Sequence, residues 1–271
     1  MLGTQRRVGG AWLPPKAWRW ASALALLAVL AASPCAAEWQ PTYVENWLFF
    51  QRNPGGSIQW QEEPRIFVPW RFENGWTLTH RLDFPLVYTN ASGPANPGGQ
   101  YAFGAGDFFI EEIFDSPEIA PGMRVKASVR FIFPTGGQAP FGAGQYQWAP
   151  AGGVTWKLRE GCDCVTLAPF VRYHSGFAPQ YANVPVMREL DLYPAASIAL
   201  SRGWSVELYP ENPIAYFQNG STWTWFVPID LMLAKRVERD FEWGIGGAFR
   251  VGNSAAALYD YVVNARIVVR F

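Results

Sequence analysis

The sequence predicts an all-β fold: a closed antiparallel transmembrane β-barrel of twelve strands that follows a cleaved leader. Three observations point there. Segments with a two-residue polarity period recur from end to end between turn residues, and no stretch sustains a helical period over three turns. The one long apolar run, 21–32, is about a dozen residues, short of the ~20 a helix needs to cross a bilayer. The final segment, 259–271, sets Tyr259, Tyr261, Val263, Ala265, Ile267, Val269 and Phe271 on one face and Asp260, Asn264, Arg266 and Arg270 on the other. A sandwich strand hides its apolar face against a second sheet. A barrel strand turns that face to lipid and the polar face to a lumen.

Residues 1–37 read as a signal peptide, which leaves 38–271 as one barrel domain. Arg6, Arg7, Lys16 and Arg19 form its basic region, and Cys35, Ala36 and Ala37 supply small residues before Glu38. The chain holds 22 Lys and Arg against 22 Asp and Glu; the leader takes four of the basic residues and none of the acidic, leaving −4. That balance shows no nucleic-acid footprint. The 14 Trp suit the aromatic girdles of a membrane barrel. They would also suit a secreted sugar-binding sandwich.

The expected strands are 42–52, 58–72, 75–90, 104–115, 122–134, 145–158, 164–177, 188–201, 203–217, 221–236, 240–252 and 259–271. Connections mostly alternate between short turns and longer Gly/Pro-rich loops, as in barrels with both termini in the periplasm, although the outer loops near 53–56 and 218–220 are short and break the trend. Along 76–88, Trp76, Leu78, His80, Leu82, Phe84, Leu86 and Tyr88 should face outward, against inward Thr77, Thr79, Arg81, Asp83 and Val87. Along 123–133, Met123, Val125, Ala127, Val129, Phe131 and Phe133 oppose Arg124, Lys126, Ser128, Arg130 and Ile132. Pro64, Pro69, Pro85, Pro169, Pro194, Pro210 and Pro228 interrupt these runs. Each removes a ladder donor, so bulges or strand ends are expected there.

The same alternation nominates the lumen residues: Arg65, Arg71, Arg81, Asp83, Arg124, Lys126, Arg130, Arg172, Asp191, Glu207, Asp230, Arg266 and Arg270. Basic groups gather on strands two, three, five, seven and twelve, while Asp191, Glu207, Glu211 and Asp230 lie on strands eight to ten. Two walls of opposite charge would set a transverse field across a pore. The alternative is that the charges pair and plug it, and the sequence leaves both open.

Cys162 and Cys164 sit in an expected turn, where an oxidising compartment favours a small disulfide. No His lies near enough to suggest a metal site, and no cofactor motif is visible. The one His-Ser pairing, His174-Ser175, puts its members on opposite faces of a strand, which defeats base and nucleophile geometry. No catalytic residue is expected.

Two features resemble known groups. A terminal aromatic such as Phe271 resembles the signature that the outer-membrane barrel assembly machinery reads. Gly104, Gly106 and Asp107, then Pro134, Thr135 and Gly136, then Gly142 and Gly144 resemble, in order and spacing, the outer-membrane proteins named for the meta-pathway of phenol degradation. The resemblance implies an outer-membrane β-barrel that moves small, often aromatic or apolar, compounds. Asp107 would then enter the lumen at the extracellular end. The expectation is a bacterial outer-membrane channel for passive passage of a small-molecule solute, embedded in lipid. An outer-membrane lipid-modifying enzyme and a plugged structural or adhesion barrel are the alternatives.

Overall fold

The computed structural model describes residues 37–159, 162–182, 184–219, 222–254 and 258–271. The expected leader, including Cys35, lies outside them. One compact unit, Glu38–Phe271, holds the strands.

Twelve strands form it: β1 (Tyr43–Arg52), β2 (Ile58–Phe72), β3 (Thr77–Asp83, resuming at Leu86–Thr89), β4 (Ala102–Ala105 and Phe108–Asp115), β5 (Met123–Phe133) and β6 (Gln145–Arg159). The circuit continues through β7 (Cys162–Leu167 and Phe170–Pro179), β8 (Arg188–Tyr193 and Ala196–Ala199), β9 (Trp204–Leu208 and Ile214–Asn219), β10 (Thr222–Arg236), β11 (Phe241–Asn253) and β12 (Tyr261–Arg270). Each pairs antiparallel with the next in sequence. β12 closes onto β1 in unbroken register from Tyr261↔Arg52 to Arg270↔Tyr43. Closure leaves no edge, so backbone donors and acceptors are satisfied within the wall, as hydrocarbon requires.

The expected faces form, except that Tyr259, expected on the outer face, is buried against Phe226 and Val262 just before the last strand. Trp76, Phe84, Leu86 and Tyr88 are exposed on the outer wall, while Thr79, Asp83 and Val87 are buried inside. On β10, Trp223, Trp225, Ile229, Leu231 and Leu233 face out and Thr224, Phe226, Asp230, Met232 and Ala234 are buried. That alternation runs unbroken to Lys235, which faces outward over the Trp204 ring. On β12, Tyr261, Val263 and Ile267 are exposed while Val262, Asn264 and Val268 are buried.

Five strands are interrupted, and proline sets most of the breaks. Pro85 breaks β3, Pro169 β7, Pro194 β8 and Pro210 β9. Each break meets its neighbour's, because a residue without a donor needs a partner that does not demand one. Gly106, at the break of β4, donates to the Pro85 carbonyl at 2.7 Å, and Ala168 donates to Ala195 at 2.8 Å. Pro228 sits at a register shift, where β11 carries Val251 as an extra residue. Pro64 and Pro69 depart from the expectation. They stand inside the continuous register of β2, since only the donor is lost and their carbonyls still accept from Phe84 and Gln40.

The three motifs of the family resemblance come together in one knot at the loop end of the barrel. Asp107 Oδ1 accepts from Gly136 N at 3.0 Å and Oδ2 from Ala143 N at 2.7 Å. Thr135 Oγ1 donates to the Gly106 carbonyl at 2.8 Å. The backbone packs so closely that a Cβ on Gly142 would meet the Asp107 carboxylate, and one on Gly104 would lie 2.9 Å from the Phe141 ring. Asp107 therefore folds the 134–144 loop onto β4.

Replacing Asp107 by Ala removes two charge-assisted bonds to backbone amides. We expect it to cost about 2 kcal/mol, read as a lower urea midpoint of the refolded barrel in detergent. An unchanged midpoint would show that the loop is held by other contacts.

Candidate lumen site

Inward-facing side chains of β1 to β4 begin with an alternation the sequence contains: Glu45, Trp47 and Phe49 on β1, then Glu63, Arg65 and Phe67 on β2. Trp47 is fully buried; its Nε1 donates to Glu45 Oε2 at 2.8 Å. Its ring lies between two guanidiniums, with Arg65 Cζ 4.8 Å and Arg266 Cζ 5.3 Å from the centroid. Arg65 meets Glu63 at 2.8 Å and Asp83 at 3.2 Å. Arg81 grips Asp83 with two bonds, at 2.8 and 2.5 Å.

A second group is organised by Glu111 on β4. Arg130 donates to Oε2 from Nε and Nη2 at 3.1 and 2.7 Å, and Arg172 donates to Oε1 at 2.5 Å. Ser128 adds a bond at 2.7 Å, and Arg81 approaches to 3.7 Å. The Arg130 guanidinium also lies 3.9 Å from the centroid of Phe109. These charges sit in a confined space, where each must be paired to offset its lost hydration.

The lumen is crossed. Between Leu208↔Ala196 and Ile214↔Leu192, β9 spends residues 209–213 opposite only 193–195 of β8. The surplus folds inward. Tyr209 takes a left-handed φ of 49°, at a cost of about 1–3 kcal/mol. The turn is held at its base by Asp230, which accepts from Glu211 N at 3.0 Å and Asn212 N at 2.7 Å. Tyr209 OH donates to the Pro228 carbonyl at 2.9 Å. From this segment Glu211 reaches Arg65, five strands away round the wall, and forms a bidentate pair at 2.5 and 2.8 Å.

The clamp borders a cavity of about 560 Å³ lined by the Arg65 and Glu111 groups. A second cavity of about 490 Å³ lies among residues nearer the termini, including Lys157, Glu242 and Arg270. Glu45, Glu207 and Arg266 border both. Arg266 bonds Glu207 at 2.7 and 3.0 Å and Glu242 at 2.7 Å, so this cluster separates the two spaces.

The nominated residues therefore divide. Arg81, Lys126, Arg130, Arg172, Glu207 and Arg266 line the larger cavity. Asp83 is buried beneath Arg65 and Arg81, and Asp230 is fully buried under the inward segment. Asp191 holds His174 Nε2 at 3.0 Å, with both buried. Asp107 is spent on the 134–144 loop. Arg71 and Arg124 are exposed, and Arg270 approaches Glu242 at 3.7 Å.

Two walls of opposite charge do not form. Glu45, Glu63 and Glu111 stand among the arginines of the basic side and neutralise it. The sequence hides Glu111 in a doublet with Glu112, and alternation alone does not say which of two adjacent residues faces in. The break at Gly106 and Asp107 decides it, sending Glu112 outward to His80 Nδ1 at 2.6 Å. Cys164 is disulfide-bonded, while the side chain of Cys162 lies outside the described residues.

No protein-family model matches this sequence, and no curated protein does. Solved structures match in fold. An outer membrane channel from Pseudomonas putida F1 superposes with a TM-score of 0.68 over 89% of this chain and 98% of its own, at 11% identity. The β domain of the Bordetella autotransporter BrkA gives a TM-score of 0.52 over 85% and 99%, at 12% identity. At such identities the likeness is one of fold, and the fold is that of outer-membrane β-barrels.

Proposed function

We propose that this chain is a bacterial outer-membrane channel through which small molecules pass passively along a charge-lined lumen. The observation that carries the reading is the pair of charge-lined cavities that share Glu45, Glu207 and Arg266, the last two joined as an ion pair. Side chains alone can fill an eight-stranded barrel, whereas twelve strands enclose a wider interior. This one spends arginines, glutamates and aromatic rings on an open space, the lining that selects solutes in pores.

In this reading the mature protein starts near Glu38 with both termini in the periplasm, and Phe271 is the mark read by the barrel assembly machinery. The short turns 73–76, 116–122, 200–203 and 237–240 lie on the periplasmic side. The resemblance to the phenol meta-pathway proteins adds a solute class, small aromatic or apolar compounds. The knot joining its three motifs supports that kinship. No step of catalysis is assigned to the lumen.

The crossing by Glu211 also favours a second reading, a barrel that is plugged and structural. Planar-bilayer recording of the refolded protein separates them. The channel reading expects discrete current steps from the wild type, and larger ones from Glu211→Gln, which releases Arg65. Asp230→Asn, which loosens the segment at its base, should act in the same direction. Silence from all three proteins would support the plug.

Selectivity offers a further check. Neutralising Arg124, Lys126 and Arg130 together should move the reversal potential in a potassium chloride gradient toward cation preference. An unmoved potential would place that wall off the conduction path.

A further inference from the structure

We propose that the seam between β8 and β9 is a lateral portal through which small apolar solutes pass between the larger cavity and the surrounding membrane. The inference deepens the channel reading and rests on it for the solute, but access from the bilayer can be measured without conduction.

The wall is unpaired there. Leu192↔Ile214 and Ala196↔Leu208 are the pairs on either side, and among the described residues no backbone hydrogen bond joins 193–195 to 209–213. At the rise of a strand this leaves on the order of 10 Å of seam. An open seam is costly in hydrocarbon when it strands backbone donors, and β9 strands none. Tyr209 N donates to the Asp230 carbonyl at 2.9 Å, Glu211 N and Asn212 N donate to the Asp230 carboxylate, and Pro210 and Pro213 carry no donor. On the β8 lip Pro194 has no donor either, and the Ala195 carbonyl accepts from Ala168. Neither lip relies on the other for these groups.

The seam opens onto the larger cavity. Tyr193 and Ala195 from one lip and Tyr209, Pro210, Glu211 and Asn212 from the other all line it. Tyr193 stacks on Phe170 at 4.1 Å and Ala195 is small, so the β8 threshold is aromatic and aliphatic. Glu211 is the one charge on either lip, and Arg65 draws it away across the lumen. Outside, Ile198, Tyr216, Ile229 and Leu231 stand exposed on the flanking strands, an apolar surface of the kind that faces lipid. An apolar solute gains by leaving water for hydrocarbon, and the seam is the side of the cavity where it can do so.

Photolabelling of the full refolded barrel in proteoliposomes tests access, with an iodophenyl trifluoromethyl diazirine dissolved in the bilayer and mass spectrometry of the labelled residues. Tyr193 and Tyr209 should be labelled above Tyr43 and Phe49, which line the same cavity from β1. Deleting Glu211 and Asn212 lets β9 match 193–195 residue for residue and closes the seam, while Ala195→Trp fills it from the β8 lip with the register kept. In both, labelling of Tyr193 and Tyr209 should fall to the level of Tyr43 and Phe49, with Ile229 and Leu231 on the outer wall still labelled. Ala127→Trp, on the outer wall of β5, should match the wild type. Uptake of radiolabelled naphthalene by cells tests passage: Ala195→Trp should lose the gain that the wild type gives. Heat-modifiable migration in SDS electrophoresis reports whether each variant is folded.

Labelling of Tyr193 and Tyr209 no stronger than that of Tyr43 and Phe49 overturns the portal, since the probe then enters along the axis or not at all. Undiminished labelling in folded Ala195→Trp overturns it as well, as does naphthalene uptake that the wild type does not raise or that Ala195→Trp leaves unchanged. A barrel labelled at its lips that passes no ion current would sink the channel reading and leave the portal standing.

Discussion

A closed wall of hydrogen bonds is the constraint from which the rest follows. Once β12 has paired with β1, every strand has two neighbours and no residue can discard a donor at an edge. Several prolines then sit where neighbouring strands yield together, while Pro64 and Pro69 keep their register by accepting through their carbonyls. The breaks of β3 and β4 meet at Pro85 and Gly106, and those of β7 and β8 at Ala168 and Ala195. Where the mismatch in β9 grows to two residues, the surplus cannot leave through an apolar wall, and it turns into the lumen as 209–213. The narrowing of the lumen is thus a consequence of how the wall closes.

Confinement then dictates the chemistry inside. An arginine on a soluble sheet needs no partner, because water solvates it. In a lumen it must be met by carboxylates and rings, and Arg65 has Glu63, Asp83, Glu211 and the face of Trp47. Such a network holds its members in fixed geometry, because withdrawing one partner leaves an uncompensated buried charge. The Arg266 cluster with Glu207 and Glu242 does the same nearer the termini.

The outer wall obeys the opposite rule and shows where it is relaxed. Asn46 donates to Glu62 at 2.9 Å, and His80 meets Glu112 at 2.6 Å, both pairs on a mostly apolar surface. Polar groups turned toward hydrocarbon cost less when bonded to each other. Both pairs lie on β1 to β4, so this sector of the wall is more polar than the face formed by β10 to β12.

Much of the fold was legible because alternation is a local property. Polarity along 76–88, 123–133 and 259–271 already says which side chains look outward, and turn residues mark where each strand ends. A closed barrel of twelve antiparallel strands follows from those facts and from the alternating loop lengths. The site was legible only in part. The sequence could nominate Arg81, Arg130, Arg172 and Arg266 as inward, but pairing is a relation between distant strands. Glu111 takes two arginines because a break at Gly106 sets its face, and Glu211 reaches Arg65 across 146 positions of sequence. Local periodicity fixes direction, in or out; only closure of the cylinder fixes distance, and distance decides which charges meet.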